Sequence, residues 1–131
     1  MNRRTLFKSL LGTALLPFAA PLQARAARRR LLIQESPLAG FQYHQGEHLW
    51  PRLCPGDPLA LVREPDNPYD PRAVRVDWHG HKLGYVPRRE NTAVSQMLDR
   101  GERLEAHIAE LRQSFDPWQR IALAIWLEGA A

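Results

Sequence analysis

Arg63-Glu64-Pro65-Asp66-Asn67-Pro68-Tyr69-Asp70-Pro71-Arg72-Ala73-Val74-Arg75-Val76, followed after a short gap by Leu83-Gly84-Tyr85-Val86-Pro87, is the stretch on which the chain turns. It joins two apolar runs through a polar loop with prolines at 65, 68 and 71. Each proline fixes its own φ and biases the residue before it toward extended backbone, so Asn67, Tyr69 and Asp70 are presented in nearly one arrangement. The loop offers amide, phenol and carboxylate groups and no nucleophile. A pre-shaped loop of that chemistry suits binding a ligand better than reacting with it.

The strands on either side set the fold class. Leu59–Val62 is a buried-type run, and Pro55-Gly56-Asp57-Pro58 before it has Pro and Gly where a type II turn needs them. Ala73-Val74-Arg75-Val76-Asp77-Trp78 alternates apolar and polar residues, and His79-Gly80-His81 reads as a hairpin turn into a partner arm over Lys82–Val86. Further out, Leu31–Ala39 is apolar enough for a first strand. Leu104, Ala106 and Ile108 alternate, and Ile121–Leu127 is apolar on both faces. One helix is predicted from a cap at Asn91 through Arg100, with Val94, Met97 and Leu98 on one face and Gly101 as the stop. Five or six short strands with one or two helices predict a mainly β protein, a small OB-like or SH3-like barrel.

Residues 1–26 read as an address. Arg3 and Arg4 precede a modestly apolar segment from Leu10 to Ala20, and Ala24-Arg25-Ala26 follows as a cleavage pattern. This is a secretory signal of twin-arginine form. The apolar run falls short of the roughly 20 residues that span a bilayer, so no integral membrane protein is expected. A periplasmic or otherwise exported product cleaved near Ala26 is expected, with a cytoplasmic protein as the alternative if the leader is inactive. Residues 27–31 read as a basic linker, and 32–128 as the folded domain.

Charge follows from that division. The leader holds Arg3, Arg4, Lys8 and Arg25 and no acid; eighteen Lys+Arg less these four leaves fourteen, equal to the fourteen Asp+Glu. The mature chain is formally neutral, which argues against a nonspecific electrostatic grip on duplex phosphate, since that requires many cations on one face. Cys54 is the single cysteine, so neither an intrachain disulfide nor a cysteine-based zinc site is available. It reads as a small, partly buried residue.

The order Gly40-Phe41-Gln42-Tyr43-His44, Pro55-Gly56-Asp57-Pro58-Leu59, Leu61-Val62-Arg63-Glu64-Pro65, Asn67-Pro68-Tyr69-Asp70, Ala73-Val74 and Lys82-Leu83-Gly84-Tyr85-Val86-Pro87 resembles the HIRAN domain family over about residues 32–128. The resemblance implies an OB-like barrel that captures the 3′ end of single-stranded DNA. Tyr43 would stack on a base, Asn67, Tyr69 and Asp70 would surround the terminal nucleotide, with Asp70 accepting from its 3′ hydroxyl, and Arg88 would meet a phosphate. Gln42, His44, Asp66 and Tyr85 are accessory candidates. Gln42 stands where DNA-binding members carry arginine, and Asp66 where a second asparagine is expected, which makes this pocket less cationic.

Each candidate also has a plain reading. Asn67 and Asp70 are common loop-capping residues, Tyr69 and Tyr85 could be half-buried barrel tyrosines, Arg63 and Glu64 could form a surface ion pair, and Gly84 could serve tight packing. Trp50, Trp78, Trp118 and Trp126 read as core or barrel-end packing, with one of them lining a groove as the alternative. His79 and His81 fit a solvated turn better than a metal site, so zinc and other cofactors are not expected. No phosphate-cradling loop or catalytic constellation is apparent, which predicts a protein that is not an enzyme. The expected partner is a single-stranded DNA 3′ end or, with the barrel reused, an unidentified protein or envelope ligand; nothing points to an oligomer.

Overall fold

The computed structural model describes residues 29–129. The expected leader over 1–26 lies outside the described residues. Six strands follow one another as β1 (Arg29–Pro37), β2 (Pro58–Glu64), β3 (Ala73–Trp78), β4 (His81–Tyr85), β5 (Leu104–Leu111) and β6 (Ile121–Gly129). They form one sheet in the order β1-β6-β5-β2-β3-β4. Among the described residues a short helix α1 (Gly46–Leu49) and a longer one, α2 (Thr92–Asp99), accompany the strands, with single turns at Phe41–Tyr43, Trp50–Arg52, Arg88–Glu90 and Pro117–Gln119. The protein is mainly β, as expected, and its strand count is the upper of the two predicted.

β2 is the hinge of the barrel. Its first residues, Pro58 and Leu59, pair with His107 and Ala106 of β5, whereas Ala60–Glu64 pair with β3, so the strand passes from one half of the sheet to the other. The open edges are brought together just past β1. Ala39 and Tyr85 exchange both backbone hydrogen bonds, each 2.9 Å, and so join the chain after β1 to the end of β4. Gly84 makes this closure possible, because a Cβ at that position would collide with the Ala39 carbonyl. Its predicted packing role is the one it has.

The hairpin expected at His79-Gly80 is present, with positive φ at both central residues (46° and 82°), the twist that a two-residue turn needs. Leu38, Phe41, Val74, Val76, Leu83, Val94, Ile108, Leu123 and Ile125 fill the interior. Burying each Leu, Ile, Val or Phe side chain contributes about 1.5–3 kcal/mol. Helix α2 covers one side through Val94, with Leu98 packed against the same core.

Three expectations change. β1 starts at Arg29, within the span read as linker, where Arg30 bonds Glu105 at 3.3 Å and lies 4.7 Å over the Trp126 ring. Cys54 is exposed, because its backbone N–H is held in the Cys54–Asp57 turn by the Asp57 carboxylate and the side chain is left outside. Arg63 and Glu64 do not pair with each other. Adjacent strand residues point to opposite faces; Arg63 reaches Asp99 of α2 at 2.8 Å, and Glu64 turns the other way toward Arg75.

Candidate functional site

The proline-rich loop between β2 and β3 is held by its own side chains. Asn67 Oδ1 accepts from the backbone N–H of Tyr69 (2.8 Å) and Asp70 (3.2 Å), the local bonding pattern for which asparagine is favoured in turns. Its Nδ2 donates to Glu64 Oε1 at 3.0 Å. Asp70 is buried: one carboxylate oxygen accepts from the Arg72 N–H (2.9 Å), the other from Asn91 Nδ2 (2.8 Å), which ties the loop to the start of α2. Asn91 therefore stands at the helix cap position with its side chain given to Asp70 and not to the helix.

Glu64 is the centre of the arrangement and was not among the sequence candidates. It accepts from Asn67, from the Tyr85 hydroxyl at 2.8 Å and from Arg75 Nη1 at 3.0 Å. Arg75 in turn grips Asp77 with two bonds of 2.9 and 3.0 Å. Burial pushes the Glu64 carboxyl up, but the bonds from Asn67, Tyr85 and Arg75 and the charge of Lys82 outweigh it and leave the group below its ordinary value. For Asp70 the same contest has the same outcome: burial raises it, and the Arg72 N–H, the Asn91 amide and the charges of Arg88 and Arg72 bring it down.

A cleft of about 910 Å³ opens above this network. It is bordered by the Phe41–Tyr43 turn with Ala39 and Gly40 before it, by the loop, and by Lys82, Tyr85 and Arg88. Tyr43, His44, Asp66, Asn67, Tyr69, Asp70, Tyr85 and Arg88 all line it; Gln42 is exposed and lies outside the lining. Tyr43 and Tyr69 are 78% and 82% exposed and extend from two separate segments. Tyr85 is half-buried and committed: its hydroxyl is on Glu64, His44 meets its ring edge-on at 5.9 Å, and Lys82 Nζ sits 4.8 Å over it. Burial and the neighbouring Lys82 charge lower the His44 pKa, with Glu64 opposing, so the imidazole is held toward its neutral form.

Charge in the cleft sorts into spent and free. Arg63 is occupied by Asp99 and the Ala73 carbonyl, and Glu64 by Arg75. Among the described residues no ion pair engages Lys82, Arg88 or Asp66. Lys82, Arg63 and Glu64 were absent from the predicted set. Their roles depend on which strands meet, and no local pattern in the sequence announces that. His79 and His81 face Trp78 and Gln45, and among the described residues no group of three or more His, Cys, Asp or Glu is placed to hold a metal.

Residues 32–129 match the HIRAN domain. The chain belongs to the HIRAN domain family. A crystal structure of a protein from Lactobacillus plantarum is similar with a TM-score of 0.66 and 27% identity, over 78% of this chain and 98% of that one. The crystal structure of the HIRAN domain of human HLTF is similar with a TM-score of 0.58 and 20% identity, over 76% of this chain and 79% of that one. At that identity the second likeness speaks to the fold, the OB-like HIRAN barrel. No curated protein matches the chain. Among the described residues no helix is long and apolar enough to cross a membrane.

Proposed function

We propose that this HIRAN domain is a non-catalytic nucleic-acid-binding module whose cleft takes the 3′ end of an unpaired DNA strand. The observation that carries the proposal is the pair of outward tyrosines: Tyr43 and Tyr69 expose most of their surface on segments that border one cleft. An exposed aromatic adds little to the stability of the barrel, but a base stacked on it contributes about 1–3 kcal/mol without regard to sequence. Lys82 and Arg88, free of ion pairs among the described residues, supply charge for two phosphates.

The carboxylates favour an end over an interior segment. Asp70 lies near Arg88 and is held ionised, so a phosphate beside it is repelled whereas a hydroxyl can donate to it. Its two oxygens accept one described bond each, and a carboxylate has about four lone-pair sites, which leaves capacity for a 3′ hydroxyl. Asn67 acts through the loop backbone and fixes the position of Tyr69.

Titration of a labelled single-stranded oligonucleotide at low and moderate salt tests the proposal. If Lys82 and Arg88 each neutralise one phosphate, log K should fall with log salt at a slope of about −1.4. Absence of binding at low salt would overturn it. A second reading is favoured by Asp66, an exposed carboxylate in the cleft with no ion pair among the described residues: an exported module in which the same barrel takes a protein or envelope ligand. Cell fractionation with mass measurement of the mature N-terminus tests the exported location and cleavage near Ala26.

A further inference from the structure

The hairpin joining β5 to β6 ends in a tip that the domain's core does not explain. Phe115 is fully exposed and Trp118 is 46% exposed. The tip is nonetheless built: Asp116 accepts from the Trp118 N–H at 3.1 Å, the Ser114 hydroxyl accepts from the Asp116 N–H at 3.0 Å, and Arg112 N bonds Arg120 O at 2.9 Å across its base. Arg120 anchors it further, lying 4.2 Å over the Trp50 ring and 4.9 Å over Phe41 while bonding Glu47 at 2.7 Å. Two large apolar side chains are thus held out in water on a defined support.

Beside the tip lies a second, smaller groove of about 280 Å³, bordered by Trp118, Pro37, Glu35, Ala122 and the Arg112–Glu110 ion pair (2.8 Å). Its relation to the main cleft follows from β1. Ser36 and Leu38 are buried, Glu35 is exposed, and Pro37, where β1 ends, and Ala39 just past it are half-buried. Ser36 and Pro37 border the small groove and Ala39 borders the main cleft, so the linings of the two openings come within two residues of each other along the chain. A second link is independent of this one: the Pro117–Gln119 turn packs against the Phe41–Tyr43 turn that carries Tyr43.

We infer that the groove under Trp118 is a second stacking subsite for the same unpaired strand, which leaves the main cleft past Tyr43, crosses Pro37 and lays a further base on Trp118. The inference rests on the nucleic-acid reading of the main cleft. It extends that reading by giving the domain a footprint longer than the terminal nucleotides, with Trp118 as the outer contact. The strand is the occupant favoured over a separate partner because the turn that carries Trp118 packs against the turn that carries Tyr43, which puts the two exposed rings on neighbouring supports.

The test is a length series. The full chain is titrated with oligothymidylates of three and of ten nucleotides, both with free 3′ hydroxyls, as the unaltered protein, Trp118→Ala and Trp118→Phe. The decamer should bind the unaltered protein more tightly than the trimer. Trp118→Ala should weaken the decamer about fivefold or more and leave the trimer unchanged, in keeping with the loss of one stacked base. Trp118→Phe should restore most of the loss, and quenching of tryptophan emission by the decamer should be smaller in both variants. Trp118 is exposed enough that thermal unfolding should be unmoved. Equal effects on both lengths, or none on either, would overturn the second subsite and leave the main cleft standing. Binding of neither oligonucleotide by the unaltered protein would overturn both.

Discussion

The two segments that carry the exposed tyrosines hold them by different means. The loop that bears Tyr69 is braced by hydrogen bonds that converge on carboxylates: Asn67 on Glu64, Asn91 and the Arg72 N–H on Asp70. The turn that bears Tyr43 has no side-chain cap and begins at Gly40 with φ of 77°. It is fixed by packing, with Phe41 buried edge-on to Trp50 at 5.9 Å, roofed by Arg120 and pressed against Gly46 so closely that a Cβ there would strike the ring. One wall of the cleft is therefore electrostatic in origin and the other steric. They should fail under different insults.

The largest expected effect is on the steric wall. Phe41→Ala should destabilise the domain by about 3–5 kcal/mol, the range for emptying a large buried aromatic site, as read by urea unfolding. Asn67→Ala should cost less, about 1–3 kcal/mol, because it strands bonding groups in a part-buried loop without opening the core. The two variants should separate cleanly in acid. Glu64 and Asp70 have folded-state pKa values below their ordinary 4.5 and 3.8, so the unfolded chain binds protons first. The stability they contribute is complete above those ordinary values and is lost as pH falls through the lower folded values. Asn67→Ala should make that acid loss shallower, since one of the bonds that lowers Glu64 is gone. Phe41→Ala should leave its steepness unchanged, and an equal flattening in both would erase the distinction between the walls. The smallest effect on stability is expected for Tyr69→Ala, within about 0.5 kcal/mol, although oligonucleotide affinity should drop about fivefold or more.

Much of the barrel was legible locally. Alternation in Ala73–Trp78 and at Leu104, Ala106 and Ile108 marked strands that are present, and the helix expected from Asn91 to Arg100 is found over Thr92–Asp99. The prolines at 65, 68 and 71 correctly announced a shaped loop. The short helix Gly46–Leu49 and the turns flanking it left no periodic trace, because four residues are too few for a 3.6-residue repeat to show. Glu64 and Lys82 escaped notice for another reason. A glutamate at a strand end looks like solvent-facing charge until β3 and β4 bring Arg75 and Tyr85 beside it. The exposure of Cys54 and the diversion of Asn91 from its helix to Asp70 are likewise products of tertiary contact, invisible to a local pattern.

The most direct measurement sets two oligonucleotides of one sequence against each other, one ending in a 3′ hydroxyl and the other in a 3′ phosphate, in competition for the full chain at low salt. If the cleft receives a strand terminus with Asp70 at its end, the hydroxyl form should bind tenfold or more tightly, about 1.4 kcal/mol, and Asp70→Asn should narrow the gap. Equal affinity of the two forms would contradict end capture, and binding of neither would remove the nucleic-acid reading altogether.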